Sequence, residues 1–316
     1  MSDDSLSPEE FAEAAGAAIL DAQSRPEETR DVLAEAGLFS VSVAEDHGGM
    51  GLGIEFSVPV AQTAGEKQLR FPVVEQIVLA RAFAGTEAGE ALLGGALTGT
   101  IAFAGSLEAG FAARAAFATT ADVMLVADGD GAALIDLGSV TVEADATLDP
   151  EAPSGFARLE GAKVLARLDA AAYAGLKRDV TILFAAFVNG AAEGALNRSA
   201  DYLAQRVQFG RPLSAKQAVR HHLARMKLGT EVAIARLRRA LLDNEFAESR
   251  AVETALTGAL SNAVFVVEKA IHLHGGMGFT EELPLHYSLR DVRKIETALQ
   301  AGAQTRAIGR AFIDAA

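Results

Sequence analysis

A cation, an aromatic ring and two amides lie close together in the segment that runs from residue 206 to residue 217. They are Arg206, Gln208, Phe209 and Gln217. A guanidinium binds phosphate oxygens, an aromatic ring stacks on flat heterocycles, and an amide hydrogen-bonds to either group. Gly210 accepts a positive φ and Pro212 cannot continue a helix, so the segment predicts a tight corner between two helices. Such a corner suits a phosphate-bearing ligand with a flat ring.

A second candidate element is the glycine pair Gly275-Gly276, which follows the run His272-Leu-His274. Glycine lets a backbone approach a ligand closely, but the same pair is also typical of a helix C-cap. The paired imidazoles at 221–222 and at 272 and 274 point to different faces of a helix. No metal site is therefore predicted.

The residues of the corner also have plain structural explanations. Arg206 could complement the partial negative charge at a helix C-terminus. Phe209 could pack in the core, and Gln217 could be an amide exposed to solvent. Their occurrence together, at the spacing described next, favours ligand binding.

The two elements lie within longer motifs. These are Arg206-Val-Gln-Phe-Gly210 with Pro212, Gln217 and His222-Leu-Ala-Arg-Met226, and then Ile271-His-Leu-His-Gly-Gly-Met-Gly-Phe-Thr-Glu-Glu-Leu-Pro284 followed by Arg290-Asp291. The combination resembles the C-terminal domain of the acyl-CoA dehydrogenases. The glycine-rich loop at 48–53 also resembles a loop of that family.

The resemblance implies FAD as the cofactor. In the family, the Arg-x-x-Phe-Gly turn binds the FAD of a neighbouring subunit, and the glycine turn lies against the adenosine-pyrophosphate region. The implied FAD contacts here are Arg206, Gln208, Phe209, Gln217, His272, Gly275 and Gly276. His272 stands where the family usually has glutamine, so that contact is expected to differ.

The family also needs a glutamate that removes the α-proton of the thioester. In most members it follows the Arg-Asp pair, and here that place holds Ala298 or Leu299, neither of which takes up a proton. Glu296 lies before that place. Other members carry the glutamate near the start of the long helix, where Asp179 is one residue away and one methylene shorter. The catalytic residue is therefore unassigned, with Asp179 and Glu296 as the remaining candidates.

The elements that position these residues are mostly helical. Helices are predicted at 7–36, 54–65, 72–84, 179–206, 213–247, 250–274, 281–296 and 303–314, with an extended run before the loop at 48–53 and short strands after residue 100. The predicted fold is mainly α with a small β insert: an N-terminal helical domain (1–98), a reduced β domain (99–170) and a C-terminal four-helix bundle (171–316). The segment 99–170 has no Trp and lacks the family's Trp/Thr flavin-contact motif, which argues against an independent flavin site on this subunit.

Composition narrows the partners. Acidic residues outnumber basic ones 42 to 28, for a net charge of −14, which disfavours nucleic acid and anionic membranes. Basic residues gather between Arg198 and Arg239 and between Arg290 and Arg310, as a small polyanionic ligand would require. There is no cysteine, and the run MSDDSLSPEEF lacks the layout of a signal peptide. We expect no apolar run long enough to cross a bilayer, and we expect a cytoplasmic protein.

These features together resemble the degenerate subunit of bacterial heterotetrameric (α2β2) acyl-CoA dehydrogenases, some of which act on steroid side-chain thioesters. The predicted function is to lend FAD contacts to a longer catalytic homologue that introduces an α,β double bond into an acyl-CoA substrate. Two alternatives remain open. One is a self-sufficient homo-oligomeric dehydrogenase that uses Asp179 or Glu296 as its base. The other is a flavin-free structural subunit.

Overall fold

The computed structural model describes residues 7–146, 149–242 and 251–314, and it is mainly helical with a small β portion, which confirms the predicted fold class. Within these ranges the α-helices are α1 (Pro8–Ser24), α2 (Thr29–Glu35), α3 (Ile54–Lys67), α4 (Val73–Ala82), α5 (Glu87–Leu93), α6 (Ala170–Gln205), α7 (Gln217–Ala240), α8 (Ala251–Leu273), α9 (Leu285–Ala298) and α10 (Ala301–Asp314). The strands are β1 (Gly99–Ile101), β2 (Ala104–Ser106), β3 (Phe111–Ala116), β4 (Val123–Asp128), β5 (Gly131–Asp136), β6 (Thr141–Ala144), β7 (Ser154–Arg158), β8 (Val164–Leu168), β9 (Val207–Gln208) and β10 (Arg211–Pro212). The first residues of the acidic N-terminal run and the predicted helical residues 243–247 and 250 lie outside the described residues.

Most predicted helices are confirmed, but the extended run before the glycine-rich loop is wrong. Residues 38–43 form consecutive turns, because Ser40 N–H bonds to Gly37 O and Val43 N–H bonds to Ser40 O at 3.1 Å each. Helix α5 was not predicted. Its start is fixed by Thr86, whose hydroxyl accepts a hydrogen bond from Gly89 N–H at 3.1 Å.

The β portion consists of two four-stranded sheets, in the orders β1-β4-β5-β8 and β2-β3-β7-β6. The pairing of β1 with β4 is parallel, and the other pairings within these two sheets are antiparallel. Their shared core is built largely from small residues, among them Ala112, Ala115 and Ala157 packed with Met124 and Ile135. The alanine-rich composition of this segment therefore reflects two sheets that face each other across a thin core.

Helix α4 carries two buried polar side chains. The Gln76 amide donates to Leu92 O at 2.7 Å and to Leu97 O at 2.9 Å, and its carbonyl accepts from Gly99 N–H at 2.8 Å. These bonds tie α4 to the end of α5 and to β1. Beside it, burial raises the pKa of Glu75 to about 7.

The chain forms two compact units. Among the described residues, one unit contains those up to Ala61 together with Leu69–Leu183, and the other contains Gln62–Gln68 together with those from Phe184 onward. The predicted boundaries at 98/99 and 170/171 stay a prediction.

In the second unit, residues 62–67 of α3 lie against residues 187–194 of α6 at backbone distance. A Cβ built on Gly65 would lie 1.9 Å from Phe187 O, and one built on Gly190 would lie 1.8 Å from Gln62 O. Neither distance is sterically allowed, so only glycine permits this approach. The sequence-based prediction that small residues in this helix allow close helix contact is confirmed.

Helix α8 is central to the rest of the second unit and packs against α7, α9 and α10. Its buried positions recur every three to four residues, as in Ala255, Ala259, Ala263, Val266 and Ala270. By length and composition, α6 is apolar enough to span a membrane, but 78% of its apolar window is buried inside the protein. The sequence-based expectation that no apolar run is long enough to cross a bilayer is therefore wrong for α6 by length and composition.

We expect Gly190→Ala to destabilise the protein by about 1–3 kcal/mol or more, because the added methyl group overlaps the Gln62 carbonyl. Gly175→Ala is the matched control in the same helix. Nothing lies within 4 Å of a Cβ at Gly175, so this change should stabilise by about 0.5–1 kcal/mol. Urea unfolding followed by circular dichroism measures both. Equal stability of the two variants would show that the helices do not approach at backbone distance.

Candidate functional site

The predicted corner is a β-hairpin at the end of α6. Strands β9 and β10 pair through Gln208 and Arg211, and Phe209 and Gly210 form the two-residue turn between them. Both turn residues have positive φ, 56° and 73°. A two-residue hairpin turn with positive φ at both positions is type I′, which matches the right-handed twist of the paired strands.

The predicted start of the second helix near residue 213 is wrong. After Pro212 the chain forms a single 3-10 turn, Leu213–Ala215, and Lys216 is extended, so α7 begins at Gln217. Pro212 has an extended ψ of 145° and therefore does not begin the helix.

Phe209 holds an unusual conformation for its residue type. A left-handed conformation costs a residue with a Cβ about 1–2 kcal/mol, and the ring gains little packing in return because Phe209 is 90% exposed. The Lys216 ammonium lies 5.0 Å from the ring centre. Strain of this kind is concentrated at binding sites.

The other predicted corner side chains, Arg206, Gln208 and Gln217, are also exposed. In the part of the chain that the structure describes, their side chains make no hydrogen bond or ion pair with other residues. The backbone of Arg206 is fixed, since its N–H bonds to Tyr202 O at 2.9 Å and its carbonyl accepts from Leu213 N–H at 2.8 Å. The corner thus has an ordered backbone and outward-facing ligand groups.

The predicted glycine turn follows His274, the residue after the end of α8. Gly275 has a φ of 63°, and a Cβ on either Gly275 or Gly276 would meet open space. His272 is exposed on the last turn of α8. Because α7 and α8 are antiparallel neighbours, the glycine turn and Gln217 lie at the same end of the helix pair.

His274 anchors this turn, and the sequence analysis gave it no role. Its ring is buried and stacks on Tyr202 of α6 with 4.4 Å between ring centres. Nδ1 lies 2.8 Å from Ala270 O, so Nδ1 must donate, and Nε2 has no partner among the described residues. Burial lowers the pKa of His274 and so favours the neutral ring. The His-x-His spacing was the only available signal.

Neither candidate base is free to act as one. Asp179 is partly buried and lies 3.3 Å from the Arg81 guanidinium; burial raises its pKa, while Arg81 and Arg178 oppose that rise. Glu296 is held by Arg293 at 2.8 Å near the end of α9. Both carboxylates are occupied by cations.

The place that the resemblance assigns to the catalytic glutamate is a short link between two helices. Ala298 ends α9, Leu299 and Gln300 form the link, and Ala301 begins α10. Gln300 has a φ of 51°, and the Leu299 carbonyl accepts a hydrogen bond from Gln304 Nε2 at 2.9 Å. No proton acceptor side chain occupies the link. The sequence analysis missed Glu75, a carboxyl whose pKa is raised by burial. Its only signal in the sequence was an acidic residue within an apolar run.

Residues 181–302 match the family described as the acyl-CoA dehydrogenase C-terminal domain. The chain is 28% identical to acyl-CoA dehydrogenase FadE27 of Mycobacterium tuberculosis, over 92% of this chain and 93% of that protein. The first three curated relatives are 33–34% identical, but the alignments span only 27–28% of their own length.

Two solved structures are similar over nearly the whole chain. One is a chain of the Tcur3481-Tcur3483 steroid ACAD, with a TM-score of 0.84 and 26% identity over 98% of each chain. The other is a chain of the ChsE4-ChsE5 complex from Mycobacterium tuberculosis, with a TM-score of 0.84 and 26% identity over 99% of each chain.

We expect Phe209→Asn to leave stability unchanged or to raise it by up to about 1 kcal/mol. Asn-Gly is a preferred type I′ pair, so the substitution relieves the left-handed strain. Phe312→Asn is the control, since Phe312 is 79% exposed but lies in helix α10, where Asn gives no such relief. Chemical denaturation measures both. A loss of more than about 1 kcal/mol in Phe209→Asn would show that the ring contributes packing.

Proposed function

Because the chain is an acyl-CoA dehydrogenase relative in both sequence and fold, we propose that it is the subunit that lends FAD contacts to a longer, catalytic homologue. Similarity to the acyl-CoA dehydrogenase family supports an oxidoreductase activity. In our proposal this chain contributes to the oxidation of an acyl-CoA thioester without supplying the base.

The observation that carries the proposal is the direction in which the corner presents its side chains. Phe209 is 90% exposed on a strained turn, and Arg206, Gln208 and Gln217 have no described partner within the chain. A group that is ordered but faces outward is suited to a ligand held mainly by another chain.

The residues present fit one side of FAD. The Arg206 guanidinium matches the geometry of phosphate oxygens, Phe209 offers a face for a flat ring, and Gln217 offers an amide. Gly275 and Gly276 leave open space above the backbone at the same end of α7 and α8. When bound, FAD supplies the acceptor for the hydride that leaves the substrate.

The lack of a free proton acceptor supports the proposal that the longer homologue supplies the catalytic base and this chain supplies cofactor contacts. The link at Leu299 and Gln300 carries no carboxylate, and Asp179 and Glu296 are each paired with an arginine. A buried or paired carboxylate must break its ion pair before it can accept a substrate proton. The homo-oligomeric alternative therefore has no support from the geometry.

Similarity to chains from assemblies supports the proposed partner. The two solved structures described above come from the Tcur3481-Tcur3483 steroid ACAD and the ChsE4-ChsE5 complex. We propose a heterotetramer of two short and two long chains, whose substrate is the CoA thioester of a steroid side chain. The remaining alternative is a structural subunit that binds no flavin. Measuring the flavin bound per complex in the Arg206 variants distinguishes it from the proposal.

We expect Arg206→Ala to weaken FAD binding to the assembled complex by about ten- to several hundred-fold, because each charge-assisted hydrogen bond contributes about 1.5–3 kcal/mol. Arg206→Lys should restore only part of the affinity, since an ammonium cannot form the planar double contact. Bound flavin per complex is measured by absorbance, with helicity checked by circular dichroism.

Arg238→Ala is the matched control, because Arg238 is an exposed arginine in the last turn of α7, at the opposite end from the corner. It should retain full flavin. If Arg206→Ala also retained full flavin and lost only about 0.3–1 kcal/mol of stability, Arg206 would be a helix-end charge and the flavin-free alternative would stand.

A further inference from the structure

A groove of about 690 Å³ lies along the outer face of α8, and we call it the α8 groove. Its floor includes small side chains that are three to four residues apart and therefore share one face of the helix: Thr254, Thr257, Gly258 and Ser261. Helix α7 contributes Arg236, which lies about 28 Å along that helix from Gln217. The groove is therefore separate from the corner, and its volume is within the range of small-molecule sites, about 300–1,000 Å³.

The Arg236 guanidinium lies across the backbone of α8 at Gly258. A Cβ built on Gly258 would lie 2.4 Å from Nη1 of Arg236, which is closer than any ordinary contact. Glycine is unfavourable inside a helix, because it loses more backbone freedom on folding than alanine does. The space left by the missing methyl group is the space that the guanidinium occupies.

The guanidinium has unused hydrogen-bond donors. Within the part of the chain that the structure describes, the Arg236 side chain makes no hydrogen bond or ion pair. The other charged residue among the described residues of the lining is Glu296, and its carboxylate is held by Arg293 at 2.8 Å. Arg236 therefore offers a positive charge and N–H donors to a molecule in the groove.

The other polar groups of the lining favour an anion with a single charge. The hydroxyls of Thr254, Thr257 and Thr305 already donate to carbonyls of their own helices at 2.9–3.0 Å. The Ser261 hydroxyl makes no hydrogen bond with another described residue, so it is able to donate. Because the Glu296 carboxylate repels a second negative charge, one guanidinium and one hydroxyl suit one carboxylate.

The rest of the lining is largely apolar. Leu260 and Val264 of α8 and Ala301 and Ile308 of α10 contribute hydrocarbon surface. Val264 and Ile308 are only half-buried, so a bound hydrocarbon would remove apolar surface from water. Val264 lies six residues after Gly258, which is about 9 Å along the helix. The groove can therefore hold a hydrocarbon body beside the carboxylate.

We propose that the α8 groove binds a small molecule with one carboxylate and an apolar body. Arg236 anchors the carboxylate, Ser261 donates a second hydrogen bond, and Val264 and Ile308 contact the hydrocarbon. The inference does not rest on the proposed function, since the groove and the corner are at opposite ends of α7.

Isothermal titration of the full chain with octanoate and with cholate tests the inference. Each probe carries one carboxylate, octanoate on a linear chain and cholate on a fused-ring body. At least one of them should bind with a Kd below about 1 mM, and which one binds more tightly gives the shape of the apolar body. 1-Octanol has the same chain as octanoate without the charge, and it should bind more weakly than octanoate.

Arg236→Gln should weaken binding of the better probe by about tenfold or more, because the charge-assisted hydrogen bonds are lost. Arg238→Gln is the matched control. It removes the same charge two residues later, about 200° around the helix from Arg236. This control should keep the affinity within about twofold, because solvent and salt screen an exposed charge on another face.

Gly258→Ala separates the placement of the guanidinium from its charge. The added methyl group displaces the Arg236 guanidinium, so binding should weaken. Urea unfolding should nevertheless show a stability equal to or above that of the unmodified chain, because alanine is the better helix former.

No detectable binding of either probe would overturn the inference, and so would unchanged binding in Arg236→Gln or in Gly258→Ala. Binding of 1-octanol as tight as that of octanoate would also overturn it. Arg206→Ala should bind the probes as the unmodified chain does. Loss of binding in that variant would show that the probes occupy the corner and would contradict the assignment to the α8 groove.

Discussion

The backbone contact between residues 62–67 and residues 187–194 is the constraint on which the second unit depends. A Cβ at Gly65 or Gly190 would overlap a carbonyl oxygen of the facing helix, so these positions tolerate only glycine. The contact also fixes the end of α3, where Gln68 donates to Pro284 O at 2.6 Å and to Ser288 Oγ at 2.7 Å. The start of α9 and the end of α6 are thereby held within one packed unit, and the corner follows directly from the end of α6.

The charge and exposure of the side chains near that corner determine what the site can do. The protein is strongly acidic, yet its basic side chains at this end of α7 and α8 lack described counter-ions. The aromatic ring at the turn is held outward at a conformational cost of about 1–2 kcal/mol. By contrast, the carboxylates that could remove a proton are paired with arginines. The groups that could bind a ligand are exposed, whereas the carboxylates that could accept a proton are paired. Together these features favour a subunit that contributes cofactor contacts but not the catalytic base.

Sequence reasoning could predict the parts that depend on pattern. Helical periodicity placed most helices, and the residue types around Arg206 identified the corner. Sequence reasoning could not predict the hairpin, because a type I′ turn normally has Asn-Gly at its centre and this chain has Phe209-Gly210 there. Sequence reasoning missed α5 and predicted an extended run where residues 38–43 form turns, because short apolar runs fit several local structures. It gave no role to His274, since burial and stacking on Tyr202 depend on a contact between distant segments.

The most direct test of the central claim is the ratio of flavin to protein in the complex purified with its longer homologue. Quantitative flavin absorbance, set against the molar amount of each chain, gives that ratio. If this chain shares its partner's cofactor, the complex contains one FAD for each pair of one short and one long chain, and the short chain purified alone contains none. One FAD for every chain, short and long alike, would contradict the account, because this chain would then hold a complete cofactor site of its own.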